Sequence, residues 1–116
     1  MTNTENKTVD ILGTTYTIKY LSAKEDKRLK KADGYCDFHS RLIVICKDEN
    51  GNIHNYKSLR EKVLRHEITH AFFYESGLTV NTFVYDGAWA ENEELVDWIA
   101  IQGPKIYKAW KSVKAI

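Results

Sequence analysis

Residues 64–73 read LRHEITHAFF, two histidines four apart with a glutamate directly after the first. On an α-helix, positions i and i+4 lie one turn apart on the same face. His66 and His70 can then present both imidazoles to one metal ion. Glu67 is rotated by about 100° around the axis, away from the plane of those two ligands. From there it can reach a water bound to the same ion, which is the place of a general base. The plainer alternative is a helix that packs two histidines into its surface. A catalytic zinc takes three protein ligands and keeps a fourth position open, so the stretch also asks where a third ligand is.

The surroundings are those of a helix. The run SLREKVLRHEITHAFFYESG, starting near Tyr56, places Leu64, Ile68, Ala71 and Phe72 in a stripe at helical spacing. Asn55 or Ser58 can cap its start. Gly77 followed by Leu78 has the form of a Schellman end. Upstream the period is that of strands. Val9–Leu12 and Thr15–Leu21 flank Gly13-Thr14 as a hairpin, with Tyr16, Ile18 and Tyr20 on one face. YCDFHSRLIVICKD (35–48) predicts a second hairpin, closed by the turn signal DENGN. A turn near Ser40–Arg41 would set Cys36 opposite Cys46, although in a reducing compartment both read as small buried hydrophobes. SAKEDKRLKKADG (22–34) reads as a solvated helix or loop, with a basic docking patch as the lesser alternative.

Downstream, TVNTFVYDG (79–87) reads as a connection or short strand. A second helix is expected from about Ala88 to Gln102, stopped by Gly103-Pro104. KIYKAWKSVKAI then forms a short third helix with Lys105, Lys108, Lys111 and Lys114 in water. The sum is a small α+β domain: a short antiparallel sheet on a long helix, with a glutamate-bearing helix and a C-terminal helix.

The 116 residues fit one domain, with residues 1–8 expected to be disordered. A 43% hydrophobic content suffices for a small core, and a net charge of +1 favours neither nucleic acid nor an acidic partner. The polar N-terminus lacks the apolar run of a signal peptide, and no segment has the length of a membrane span. The expectation is a cytoplasmic protein without membrane contact.

No histidine follows His70, and His39 and His54 lie upstream in a hairpin and a turn-rich loop, where surface positions are expected. The remaining candidates for the third ligand are carboxylates of WAENEELVDWIA (89–100): Glu91, Glu93, Glu94 and Asp97. Glu93 and Asp97 share a helix face, so Glu93 can bind the metal while Asp97 accepts a hydrogen bond from the second nitrogen of a liganding histidine. Glu94 is the alternative ligand.

HEITH followed by NEELVD resembles the gluzincins, zinc peptidases of the HExxH-plus-glutamate class whose second motif is often N-E-x-x-x-D. Asn92, Glu93 and Asp97 match that motif position by position. The order of elements also resembles the compact ImmA/IrrE-like metallopeptidases of phages and mobile elements, whose second motif reads roughly E-x-x-A-x-x-F-A. Aligning its end on Ile99-Ala100 again sets the glutamate at Glu93, with Val96 in place of the alanine. The resemblance implies a zincin-like fold, one Zn²⁺ held by His66, His70 and Glu93, Glu67 as general base, and Asp97 as support for a ligand. It implies a peptide or protein substrate lying along strand Leu42–Cys46. Tyr74, Tyr85 and His39 are candidate donors to the oxyanion, and nothing in the sequence chooses among them. The alternative function is a zinc-binding interaction module that holds a phage or host regulator without catalysis.

Overall fold

The computed structural model describes residues 6–79 and 92–116. Strands β1 (Lys7–Ile11), β2 (Thr14–Leu21), β3 (Gly34–Asp37) and β4 (Leu42–Cys46) form a four-stranded sheet. Helix α1 (Tyr56–Glu75) follows the strands, and helix α2 (Glu93–Ser112) follows α1. This is a small α+β domain with one sheet and two long helices. Among the described residues no helix is long and apolar enough to cross a membrane.

The first hairpin turns on Leu12 and Gly13, both with positive φ (52° and 92°), as in a type I′ turn. Its strand begins at Lys7, so residues 7 and 8 are ordered in β1 where frayed chain was expected. Tyr16, Ile18 and Tyr20 share a face as their alternation predicts, and that face joins Ile11, Ile43 and Ile45 against α1.

The sheet is not wholly antiparallel. Its order is β1-β2-β4-β3, and β4 runs parallel to β2, with Thr17 opposite Leu42 and Leu21 opposite Cys46. The chain leaves β2, passes through a short 3-10 helix (Lys27–Lys30) and lays down β3 two places away. The second hairpin then returns β4 into the gap. A strand buried on both faces suits a continuous apolar run rather than an alternating one. Ile43, Val44 and Ile45 are all fully buried. Strand Leu42–Cys46 is therefore interior and cannot be the edge on which a peptide lies. The edge strands of the sheet are β1 and β3. Within the hairpin Cys36 faces Ile43, not Cys46, and both thiols are free.

Helix α1 begins at Asn55, whose side chain accepts the Ser58 N–H at 3.0 Å. It ends in a Schellman motif: Gly77 has φ +88°, its N–H reaches the Tyr74 carbonyl at 3.0 Å, and Leu78 N–H reaches that of Phe73 at 2.9 Å. The buried stripe runs through Val63, Glu67 and Ala71, with Leu59, Leu64 and Ile68 half-buried beside it. Phe72, placed on the stripe by spacing alone, is exposed. At the far end the Tyr16 hydroxyl donates to Glu75 at 2.7 Å, and Thr14 Oγ1 donates to the same carboxylate at 3.1 Å. These bonds pin the helix end to β2.

Helix α2 does not stop at Gly103-Pro104; it continues through them to Ser112, so the separate C-terminal helix is absent. Proline at position 104 has no N–H for the carbonyl four residues back, which is Ala100. That carbonyl accepts instead from Arg65 Nε of α1 at 2.6 Å. The bond supplies the missing donor and ties α2 to α1 at the break. Beyond it the lysines stay in water as expected, but Trp110 and Val113 are exposed too. The expected start of this helix at Ala88 lies outside the described residues.

The edge strand approaches α1 closely because of Gly34. A Cβ there would lie 2.8 Å from the Val44 carbonyl oxygen and 2.9 Å from Val63 Cγ1. Gly34→Ala should therefore force β3 and α1 apart and lower stability by about 1–3 kcal/mol. Urea unfolding of the two proteins checks this, and an unchanged midpoint would show that the contact is not tight.

Candidate metal centre

His66 and His70 project from successive turns of α1, with ring centroids 4.9 Å apart and planes at 68°. Opposite them α2 begins. Asn92 caps it by accepting the Leu95 N–H at 2.9 Å, which sets Glu93 in its first turn. Glu93 Oε1 lies 3.0 Å from His66 Nε2 and 3.1 Å from His70 Nε2. One turn on, Asp97 Oδ1 lies 3.2 Å from His66 Nδ1. With Nδ1 donating to Asp97, the Nε2 lone pair of His66 faces Glu93.

Three ligand atoms from His66, His70 and Glu93 thus lie within 4.8 Å of one another. Ligands about 2.0–2.1 Å from a tetrahedral zinc sit roughly 3.3 Å apart. The observed spacings of 3.0 and 3.1 Å are close to that figure. Two imidazoles and one carboxylate also form a donor set suited to zinc, with iron, manganese or cobalt as chemical alternatives. The residues present fit a divalent cation.

Glu67 differs in setting. It is 7% exposed, the one buried charged residue among those described. It lies between Val63 and Ala71 on the face of α1 that meets the sheet. Burial pushes its carboxyl up to about 7, nearby Glu93 adds to the rise, and His66 opposes it. No protein hydrogen-bond donor meets this carboxylate among the described residues. It opens instead into a cavity of about 630 Å³ that it shares with His66, His70, Glu93 and Asp97, and that Gly34 and Cys36 of β3 also line.

Lys62, which the sequence reading did not single out, donates to Asp97 Oδ1 at 3.1 Å. This bond, ahead of the one from His66, holds the Asp97 carboxyl below its usual range. The available signal was spacing, since Lys62 stands one turn before His66. Phe38 of the hairpin turn also lines the cavity. It stacks on Tyr74 with centroids 4.3 Å apart and planes at 4°, and no motif announced that pair.

The other candidates lie apart. Glu94 is exposed and outside the cluster. His39 and His54 are exposed and do not line the cavity. Tyr74 supports Phe38 but is not among the cavity's lining residues. Tyr85 and Glu91 lie outside the described residues. The chain matches no protein-family model, no curated protein and no solved structure.

The buried carboxyl has a consequence for stability. Unfolded, Glu67 releases its proton near 4.5; folded and metal-free, it does so at about 7. Between these values the folded state binds more protons, so its stability falls as pH rises. From 4.5 to about 7 the shift corresponds to a loss on the order of 3 kcal/mol, complete above the folded value. Glu67→Gln should remove that loss. Urea unfolding of the two metal-free proteins, at about pH 4.5 and about pH 8, should show the variant gaining on wild type as pH rises; parallel profiles would contradict the burial of the charge.

Proposed function

We propose that this protein is a zinc-dependent peptidase that hydrolyses a peptide bond in a protein or peptide substrate. The observation that carries the reading is the pairing of two unlike sites in one cavity. A cluster of three metal-ligand atoms stands beside a buried carboxyl that meets no hydrogen-bond donor among the described residues. A protein that only holds metal has no need of Glu67, whose burial is unfavourable to folding at neutral pH. The likeness of HEITH and NEELVD to gluzincin and ImmA/IrrE-like motifs points the same way.

His66, His70 and Glu93 would hold the ion. When bound, zinc supplies Lewis acidity, lowering the pKa of water and polarising a carbonyl. Glu67, raised to about 7, has the basicity to take a proton from an attacking water and return it to the leaving amine nitrogen. Asp97 holds the His66 tautomer through Nδ1, and Lys62 keeps Asp97 ionised. The substrate backbone would add to β3, the sheet edge that borders the cavity, by strand pairing.

The test uses zinc-loaded wild type and Glu67→Gln on a mixture of denatured proteins, with new termini read by mass spectrometry. The variant should keep its zinc and lose hydrolysis by at least about 100-fold. Equal cleavage by the two would remove Glu67 from the chemistry. Zinc-loaded wild type that cuts nothing would favour the interaction module.

A further inference from the structure

The second half of α2 does little for the fold. From Ile101 to Ser112 the helix makes about three turns without one buried residue; Gln102, Gly103 and Ile106 are half-buried and the rest are exposed. A helix of that length is marginal in water on its own. Yet this half is not polar. Tyr107 and Trp110 are about half exposed, and Val113 at the C-cap is 74% exposed.

Charge and apolar surface are separated around the axis. At about 100° per residue, Ile106 and Trp110 stand roughly 40° apart, and Tyr107 lies roughly 60° beyond Trp110. Lys108 is about 160° from both Ile106 and Trp110, so it points the opposite way. Lys105 and Lys111 stand on the two flanks, each about 100° from the nearer member of that apolar pair. Lys111 Nζ lies 5.6 Å from the centre of the Tyr107 ring, which sets a cation beside the border of the apolar stripe. Trp98 and Ile101, also exposed, fall on the lysine side.

The positive charge here is uncompensated. Residues 98–116 hold Lys105, Lys108, Lys111 and Lys114 and no acidic residue. None of the four lysines makes an ion pair among the described residues. A second copy of the chain is a poor occupant, because it would set this cationic stretch against an identical one. The apolar stripe is also small for that purpose: half-exposed aromatic side chains offer roughly 100 Å² each, against about 800 Å² per partner in a stable interface. A lipid surface asks for less area and supplies the missing negative charge. An amphipathic helix with lysines on its polar side and Trp on the other lies in the headgroup plane, its lysine stems reaching along the flanks to the phosphates. Tyr and Trp favour that same depth.

We infer that the second half of α2 binds the surface of an anionic phospholipid bilayer, with Ile106, Tyr107 and Trp110 inserted and Lys105, Lys108 and Lys111 against the headgroups. The contact is peripheral, since no described helix is long and apolar enough to cross a membrane. It rests on neither the metal centre nor the peptidase reading.

The test is co-sedimentation of the full chain with vesicles of phosphatidylcholine alone or of phosphatidylcholine and phosphatidylglycerol at about 7:3, with the fold of each variant checked by circular dichroism. Wild type should bind the phosphatidylglycerol vesicles at least about 10-fold more tightly, and less so as salt is raised. The triple variant Lys105→Gln, Lys108→Gln, Lys111→Gln should lose that preference. The double variant Ile106→Ser, Trp110→Ser should lose at least about 10-fold in binding to the anionic vesicles. No binding to either vesicle, or equal binding to both, would overturn the inference. Binding to the anionic vesicles that survives the Ile106 and Trp110 substitutions would also overturn it, leaving a purely electrostatic surface of the kind an acidic protein takes. A wild-type dimer in light scattering that the same two substitutions dissolve would assign the stripe to a second copy instead.

Discussion

Electron-rich atoms converge where α1 meets the start of α2. Two imidazole nitrogens face one carboxylate oxygen, and a second carboxyl is buried close by with no donor among the described residues. In the absence of a cation, burial and the nearby Glu93 favour a proton on Glu67. A divalent ion satisfies the same atoms at the spacings observed. Much of the remaining architecture holds these groups in place. Asn92 caps α2 so that Glu93 stands in its first turn. Arg65 bonds the Ala100 carbonyl and joins the two helices. Gly34 lets the edge strand close on Val63, one turn from Glu67.

The site was more legible than the fold. HEITH placed two imidazoles on one helix face from periodicity alone, and the shared face of Glu93 and Asp97 followed from the same rule. What spacing could not supply was the choice between Glu93 and Glu94. That depends on how α2 is rotated against α1, which the resemblance to known motifs anticipated and the packing of Val96 and Ala100 realises. Lys62 escaped notice because a lysine on a helix surface reads as solvated until its partner on another helix is known.

The fold's misread parts have local causes. LIVIC scores as a strand wherever it sits, and only its unbroken apolar run hinted at an interior position parallel to β2. Chain order suggested simple hairpins, whereas the actual order interleaves β4 between β2 and β3. Gly103-Pro104 is a sound stop signal for an isolated helix. Here a side chain from a neighbouring helix replaces the lost backbone donor, an event no local rule can anticipate. The stripe on α1 was displaced for a related reason: Glu67 occupies a buried place that a hydrophobicity pattern assigns to apolar residues.

The measurement that bears most directly on this account is the zinc content of the purified, zinc-equilibrated protein, taken beside His70→Ala, Glu93→Ala and Glu94→Ala with folding checked by circular dichroism. The account requires one zinc per wild-type chain, lost in the His70 and Glu93 variants and kept in the Glu94 variant. A folded wild type that takes up no zinc, or a Glu93 variant that binds it as wild type does, would contradict it.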